Sequence, residues 1–245
     1  MSLGVIGGLG PMATAYFMQL VVKMTNAKID QEHLDMIIYS SPTIPDRTEY
    51  ILGKSKDSPL PKMIELGKKL KEQDVTCIAI PCITAHYFHK ELMEGIDVDI
   101  IHGIRESAKL LKEANINRVG IMATDGTIQS KIFQHEIENL GMIAIIPKED
   151  MQKKVMNLIY EDIKKGNKPD LESFFEVKNY FINEEKADAI VLGCTELSVI
   201  KRDYELGDGV LDAMEVLARE AVVRCGKEVS SEYKMLFRPV STLGF

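Results

Sequence analysis

The chain has no CxxC pair, no lysine- and arginine-rich run, no apolar stretch of bilayer length and no secretory leader pattern at its start. Each absence removes a class of protein. Four cysteines, Cys77, Cys82, Cys194 and Cys225, in 245 residues are too few for a disulfide scaffold, so they are read as reduced thiols. A membrane-spanning helix needs roughly 18 consecutive apolar residues, and no run approaches that. Without a basic region followed by an apolar segment and a cleavage site, the expected location is the cytoplasm. A formal charge of −7 with no basic run sets nucleic acid and anionic membranes aside as main partners.

What remains is an ordinary globular composition, 45% hydrophobic and 27% charged, with length for one large domain or two of about 100 to 120 residues. Short apolar, β-branched runs alternate with longer helical patterns, which predicts an α/β fold with mainly parallel sheets flanked by helices. The runs at 3–7, 34–40, 76–81, 98–101, 118–123, 142–146 and 188–193 read as strands. Helical patterns fill 11–27, 59–72, 84–93, 103–113, 127–139, 149–165, 170–184 and 212–225.

The chain also repeats itself. "LGVIGGLGPMATAYF" (3–17) laid on "VGIMATDGTIQSKIF" (119–133) pairs Gly4 with Gly120, Gly10 with Gly126 and Phe17 with Phe133, an offset of 116. "EQDVTCIAIPC" (72–82) laid on "EEKADAIVLGC" (184–194) pairs Cys82 with Cys194 at an offset of 112. Two matches at nearly one long period predict two similar, pseudo-symmetric α/β domains. Residues 1–102 with 212–245 are assigned to the first domain and 103–211 to the second.

In an open parallel sheet, ligands bind beyond the carboxyl ends of the strands. Cys82 and Cys194 both stand there: an apolar strand, one Pro or Gly, then Cys, then a helix start. Exposed N–H groups at a helix N-terminus favour thiolate, so both are expected to be reactive. Cys77, inside a strand, and Cys225, near a helix end, read as small core hydrophobes. Two thiols from pseudo-symmetric halves would face each other across an active-site cleft between the domains. One could then take a proton from a carbon while the other delivers one to the opposite face, inverting the centre.

"GGLGPMAT", "SSPTIPDRT", "PCITAH", "ATDGT", "IKKG" and "LGCTEL", in this order and spacing, resemble the aspartate racemase branch of the aspartate/glutamate/hydantoin racemases. The resemblance runs from Gly4 to about Arg224. It implies two α/β domains, a cofactor-independent amino-acid racemase and often a homodimer. It also implies that Cys82 and Cys194 are the catalytic acid/base pair. Glutamate racemases tend to carry His after "GCT"; Glu196 stands there instead, favours the aspartate branch and is counted, with Ile83, among the candidate substrate-binding residues. Arg47, whose planar fork suits a carboxylate, and Lys164 are associated with the substrate's distal carboxylate. Thr84, Thr127 and Thr195, at strand-to-helix turns, can hold the α-carboxylate or serve as ordinary helix caps. Met12 lines the pocket by resemblance or fills the core. One position departs from the pattern: Ile83 stands where the family usually has Asn, which removes a polar contact and leaves the substrate open.

Other readings compete. Gly8, Gly10 and Ala13 satisfy GxGxxA after a strand, but the next strand ends in Ser40, Ser41 and Pro42 and lacks the acid that a dinucleotide ribose needs. Cys82, His86 and His89 share a helical face, which suggests a metal or a Cys-His nucleophile; no further metal ligand is obvious by spacing, so no metal is expected, and a Cys-His nucleophile would leave Cys194 unexplained. Racemisation of glutamate or another amino acid, a related isomerase or decarboxylase, and a catalytically weak protein that binds acidic amino acids complete the alternatives.

Overall fold

The computed structural model describes residues 1–240. Residues 241–245, assigned above to the first domain, lie outside the described residues. The chain divides into two compact units. The first is Met1–Gly103 with Met214–Met235; the second is Ile104–Ala213 with the tail from Leu236. The tail is held in the second unit where the Gly209 N–H donates to the Arg238 carbonyl at 2.8 Å, whereas the sequence placed it with the first.

The first unit is built on three parallel strands, β1 (Ser2–Gly7), β2 (Asp35–Ser40) and β3 (Cys77–Ala79), in the order β2-β1-β3. The expected strand at 98–101 contributes a single parallel bridge, Ile78 with Ile100. The second unit has β4 (Arg118–Met122), β5 (Ile143–Ile145), β6 (Ala189–Leu192) and β7 (Val210–Asp212), all parallel, in the order β5-β4-β6-β7. The two orders are the same, with the Ile100 bridge standing where β7 stands. β1, β3, β4 and β6 read as continuous apolar runs because each has both faces covered.

The repeat also appears in packing. Phe17 and Phe133, paired at offset 116, are both fully buried. Each unit closes its own core: Ile6, Met63, Leu70, Ile78 and Phe88 in the first, and Val155, Phe174, Phe181, Ile190 and Leu197 in the second. The last helix of each half changes places. Gly103–Glu113, which follows the Ile100 bridge, lies almost wholly in the second unit, while Ala213–Arg224, which follows β7, belongs to the first.

Several helices differ from the continuous ones expected. The pattern at 84–93 opens as a 3₁₀ turn, Ile83–Phe88, before the α-helix His89–Ile96. The one at 127–139 becomes Asp125–Ser130 and Ile132–Asn139, broken where Lys131 takes a left-handed φ of 58°. The ones at 149–165 and 170–184 end in π-helical turns, Leu158–Ile163 and Tyr180–Glu184. Among the described residues, no helix is long and apolar enough to cross a membrane.

Candidate active site

In the first unit the turns leaving β1, β2 and β3 emerge side by side, because β1 pairs with both neighbours. The β1 turn needs glycine at Gly8: its φ is +90°, and a Cβ there would sit 2.4 Å from the Ser41 amide nitrogen. The helix that follows, Pro11–Met24, starts with proline in its first turn, where no N–H is required. Arg47 is buried at this end. Its guanidinium donates to the Leu9 carbonyl at 2.9 Å and the Pro45 carbonyl at 3.1 Å, joining the β1 turn to the segment after β2. Asp46 caps the short helix Arg47–Ile51 by accepting from the Glu49 N–H at 3.0 Å.

Cys82 leaves β3 as the N-cap of the turn Ile83–Phe88, in extended conformation, and is 5% exposed. Its carbonyl accepts the N–H of Ala85 at 3.1 Å. His86 accepts a hydrogen bond at Nε2 from the Gly103 N–H at 3.1 Å. Its Nδ1 lies 3.1 Å from the carbonyl oxygens of both Cys82 and Ile83 and therefore carries the proton. Burial, with His89 nearby, pushes the His86 pKa down to about 4. The ring is a neutral brace with both nitrogens engaged, which removes it from the metal and Cys-His readings. Among the described residues no group of three or more His, Cys, Asp or Glu side chains could hold a metal ion.

Cys194 repeats the placement of Cys82 in the second unit. It follows β6 after one glycine, caps the helix Thr195–Asp203 in extended conformation, and its carbonyl accepts the Leu197 N–H at 3.0 Å. The sequence reading expected a depressed thiol pKa here, and the structure reverses that expectation. Burial raises it well above the ordinary value, the Glu196 charge and hydrogen bond add to the rise, and Lys164 opposes it only in part. The thiol donates to Glu196 Oε2 at 2.9 Å, and the Thr195 hydroxyl lies 3.4 Å from the same oxygen. Cys194 is thus a protonated thiol paired with a buried carboxylate.

The second unit brings Cys194, Thr195 and Glu196 into contact and sets Lys164 within electrostatic reach of the thiol. Lys164 follows the π turn Leu158–Ile163, and its amide donates to the Ile159 carbonyl five residues back at 3.0 Å. Its ammonium lies over the Tyr160 ring, 3.8 Å from the centroid. Thr127 leaves the neighbouring strand β4, which pairs Met122 with Leu192. Its N–H is taken by the Thr124 hydroxyl at 3.3 Å, so Thr124, and not Thr127, caps Asp125–Ser130.

In the first unit Cys82, Ile83 and Thr84 are successive and buried. Met12, by contrast, is 61% exposed on the first turn of its helix and is no core residue. Sequence reasoning missed Glu196 as the partner of the thiol. The signal was present, a carboxylate two residues after a cysteine at a helix start, where the first turn folds the side chain back toward the cap. An open groove of about 470 Å³ in the second unit, lined by Phe175, Tyr180 and Glu176 among others, contains none of the predicted site residues.

The chain belongs to the Asp/Glu/Hydantoin racemase family, whose model matches residues 6–221. It is an enzyme of the amino-acid racemase class. It is 30% identical to the aspartate racemase of Picrophilus torridus, covering 95% of this chain and 98% of that one with a TM-score of 0.80. The broad specificity amino-acid racemase RacX of Bacillus subtilis is 27% identical over 224 residues, 90% of this chain and 96% of its own. A glutamate racemase from Aquifex pyrophilus is 26% identical over 195 residues, 77% of this chain and 74% of its own.

Proposed function

We propose that the protein interconverts the enantiomers of aspartate, without a cofactor, with Cys82 and Cys194 as the acid/base pair. The observation that carries this reading is the equivalence of the two thiols. Each caps a helix after the corresponding strand of two sheets with the same strand order. Direct inversion at carbon needs one base and one acid on opposite faces of the α-carbon, and a duplicated domain supplies one of each. Cys194, protonated beside Glu196, is the proton donor in the resting state; Cys82 is then the base, and the roles exchange in reverse. Arg47 and Lys164 bind the distal carboxylate, and Thr84, Thr127 and Thr195 with neighbouring N–H groups bind the α-carboxylate. The active form is read as a cytoplasmic homodimer.

The likeness to the Picrophilus aspartate racemase favours aspartate, whereas the match to RacX together with apolar Ile83 favours a broader range. Chiral chromatography of the products from both enantiomers of aspartate, glutamate and several neutral amino acids separates the two. Aspartate turning over at least tenfold faster than the others supports the first; comparable rates with neutral amino acids support the second. In either case Cys82→Ala and Cys194→Ala should each cut racemisation by about 10²–10⁴-fold, the usual worth of one positioned acid or base. Full activity in either variant removes the two-thiol mechanism.

A further inference from the structure

Racemisation as proposed leaves two of the four thiols unused, and the structure places those two together. The sulfurs of Cys77, in β3, and Cys225, just after the helix Ala213–Arg224, lie 3.6 Å apart and buried in the first unit. They are 148 residues apart in sequence, so the contact is a product of the fold and not of local geometry. A disulfide needs the sulfurs about 1.5 Å closer than this. The pair is also chemically unequal. Cys77 keeps its proton, pushed far up by its hydrogen bond to Cys225 and by burial, while that same hydrogen bond pulls the Cys225 pKa down. Cys225 is therefore the sulfur that more readily becomes thiolate and reacts first, and Cys77, in contact with it, is placed to resolve the product.

We propose that Cys77 and Cys225 form a reversible disulfide when the protein meets a hydroperoxide, fastening the late helix Ala213–Arg224 to the first sheet. The Cys225 thiolate attacks a peroxide oxygen, the O–O bond breaks, and the departing hydroxide takes up the proton the thiol had released and leaves as water, so that the sulfur becomes a sulfenic acid. The Cys77 thiol then attacks that sulfur, the S–O bond breaks, and a second water departs with the thiol proton. In total two thiols and one hydrogen peroxide give one disulfide and two waters. Peroxide is small enough to enter through local opening at the helix end, where Gly226 already turns the chain away with a φ of +70°. The bond lies at β3 several residues before Cys82 and uses neither proposed catalytic thiol, so this inference is independent of the racemase mechanism.

The test is a peptide map without reduction, made on the native chain after brief treatment with hydrogen peroxide and alkylation of free thiols. The same map is made on a Cys82→Ser/Cys194→Ser variant. The expected result in both is a linked pair of peptides carrying Cys77 and Cys225, lighter by two hydrogens and separated by dithiothreitol. The oxidised chain should also show a thermal midpoint higher by roughly 10 °C, because the bridge closes a long loop. The proposal is overturned if both thiols are still alkylated on denaturation after peroxide treatment. It is equally overturned if each ends as a separate sulfinic acid with no linked peptide.

Discussion

At the scale of single residues, the two proposed catalytic thiols differ in their companions. Glu196 accepts the Cys194 proton at 2.9 Å and raises that thiol's pKa further than burial alone. Glu196→Gln removes the charge while keeping the side-chain length, so the Cys194 titration should move downward. The pH dependence of alkylation at that cysteine checks it; an unmoved or higher titration would contradict the pairing. His86 gives a second prediction. Its pKa is near 4 folded against an ordinary value of 6.5, so the unfolded chain binds a proton that the folded chain refuses. Its contribution is therefore complete above about pH 6.5 and is lost as pH falls toward 4, an effect on the order of 3 kcal/mol. Urea midpoints measured across that range should fall with pH, and more steeply in the native chain than in His86→Gln. The two thiols themselves were legible in the sequence because the repeat aligned them. Their companions were harder to read: Glu196 stands two residues after Cys194 in the sequence, but its contact with the thiol depends on how the first helical turn folds that side chain back.

At the scale of elements, the long apolar runs were readable and the short ones were not. β1 and β4 follow from uninterrupted apolar, β-branched sequence buried on both faces. β7 escaped notice because it has only three residues between Gly209 and the next helix, too few to show a period. The stretch at 98–101 has a strand's composition but gains only the Ile100 bridge. The π turns were invisible because composition does not register one inserted residue; the turn at Leu158–Ile163 matters because it ends at Lys164. The paired glycines of the repeat give a test at this scale. A Cβ on Gly120 would come 2.6 Å from the Phe181 ring, whereas on Gly4 it would meet Leu70 and Val75 side-chain carbons at 3.1 Å. Gly120→Ala should therefore cost about 1–3 kcal/mol, the usual range for overpacking, and Gly4→Ala less. Chemical denaturation of the two variants compares them directly, and an equal cost would mean that Phe181 moves aside freely.

At the scale of the whole molecule, the duplication explains most of what the chain does. Two units with the same strand order each put a cysteine after the corresponding strand, and the helices Gly103–Glu113 and Ala213–Arg224 are exchanged between them. The sequence revealed the duplication through only a few identities, but those fell on glycines, a buried phenylalanine and the thiols, where backbone approach, packing and chemistry leave least freedom. The helix exchange was only half visible: the return of the late helix to the first half could be anticipated, the transfer of 104–113 to the second could not.

The central claim is that two thiols act on opposite faces of one carbon, and a loss of rate alone does not show which thiol serves which face. Free enantiomers have equal energy, so any variant must change kcat/KM equally in both directions. The decisive measurement is α-proton exchange in deuterated water, followed by NMR, for L- and D-aspartate separately with Cys82→Ala and Cys194→Ala. The account predicts that each variant loses racemisation and retains exchange with at most one enantiomer, the opposite one in each case, because the surviving thiol reaches only one face. Exchange of both enantiomers by a chain with a single remaining thiol would contradict it.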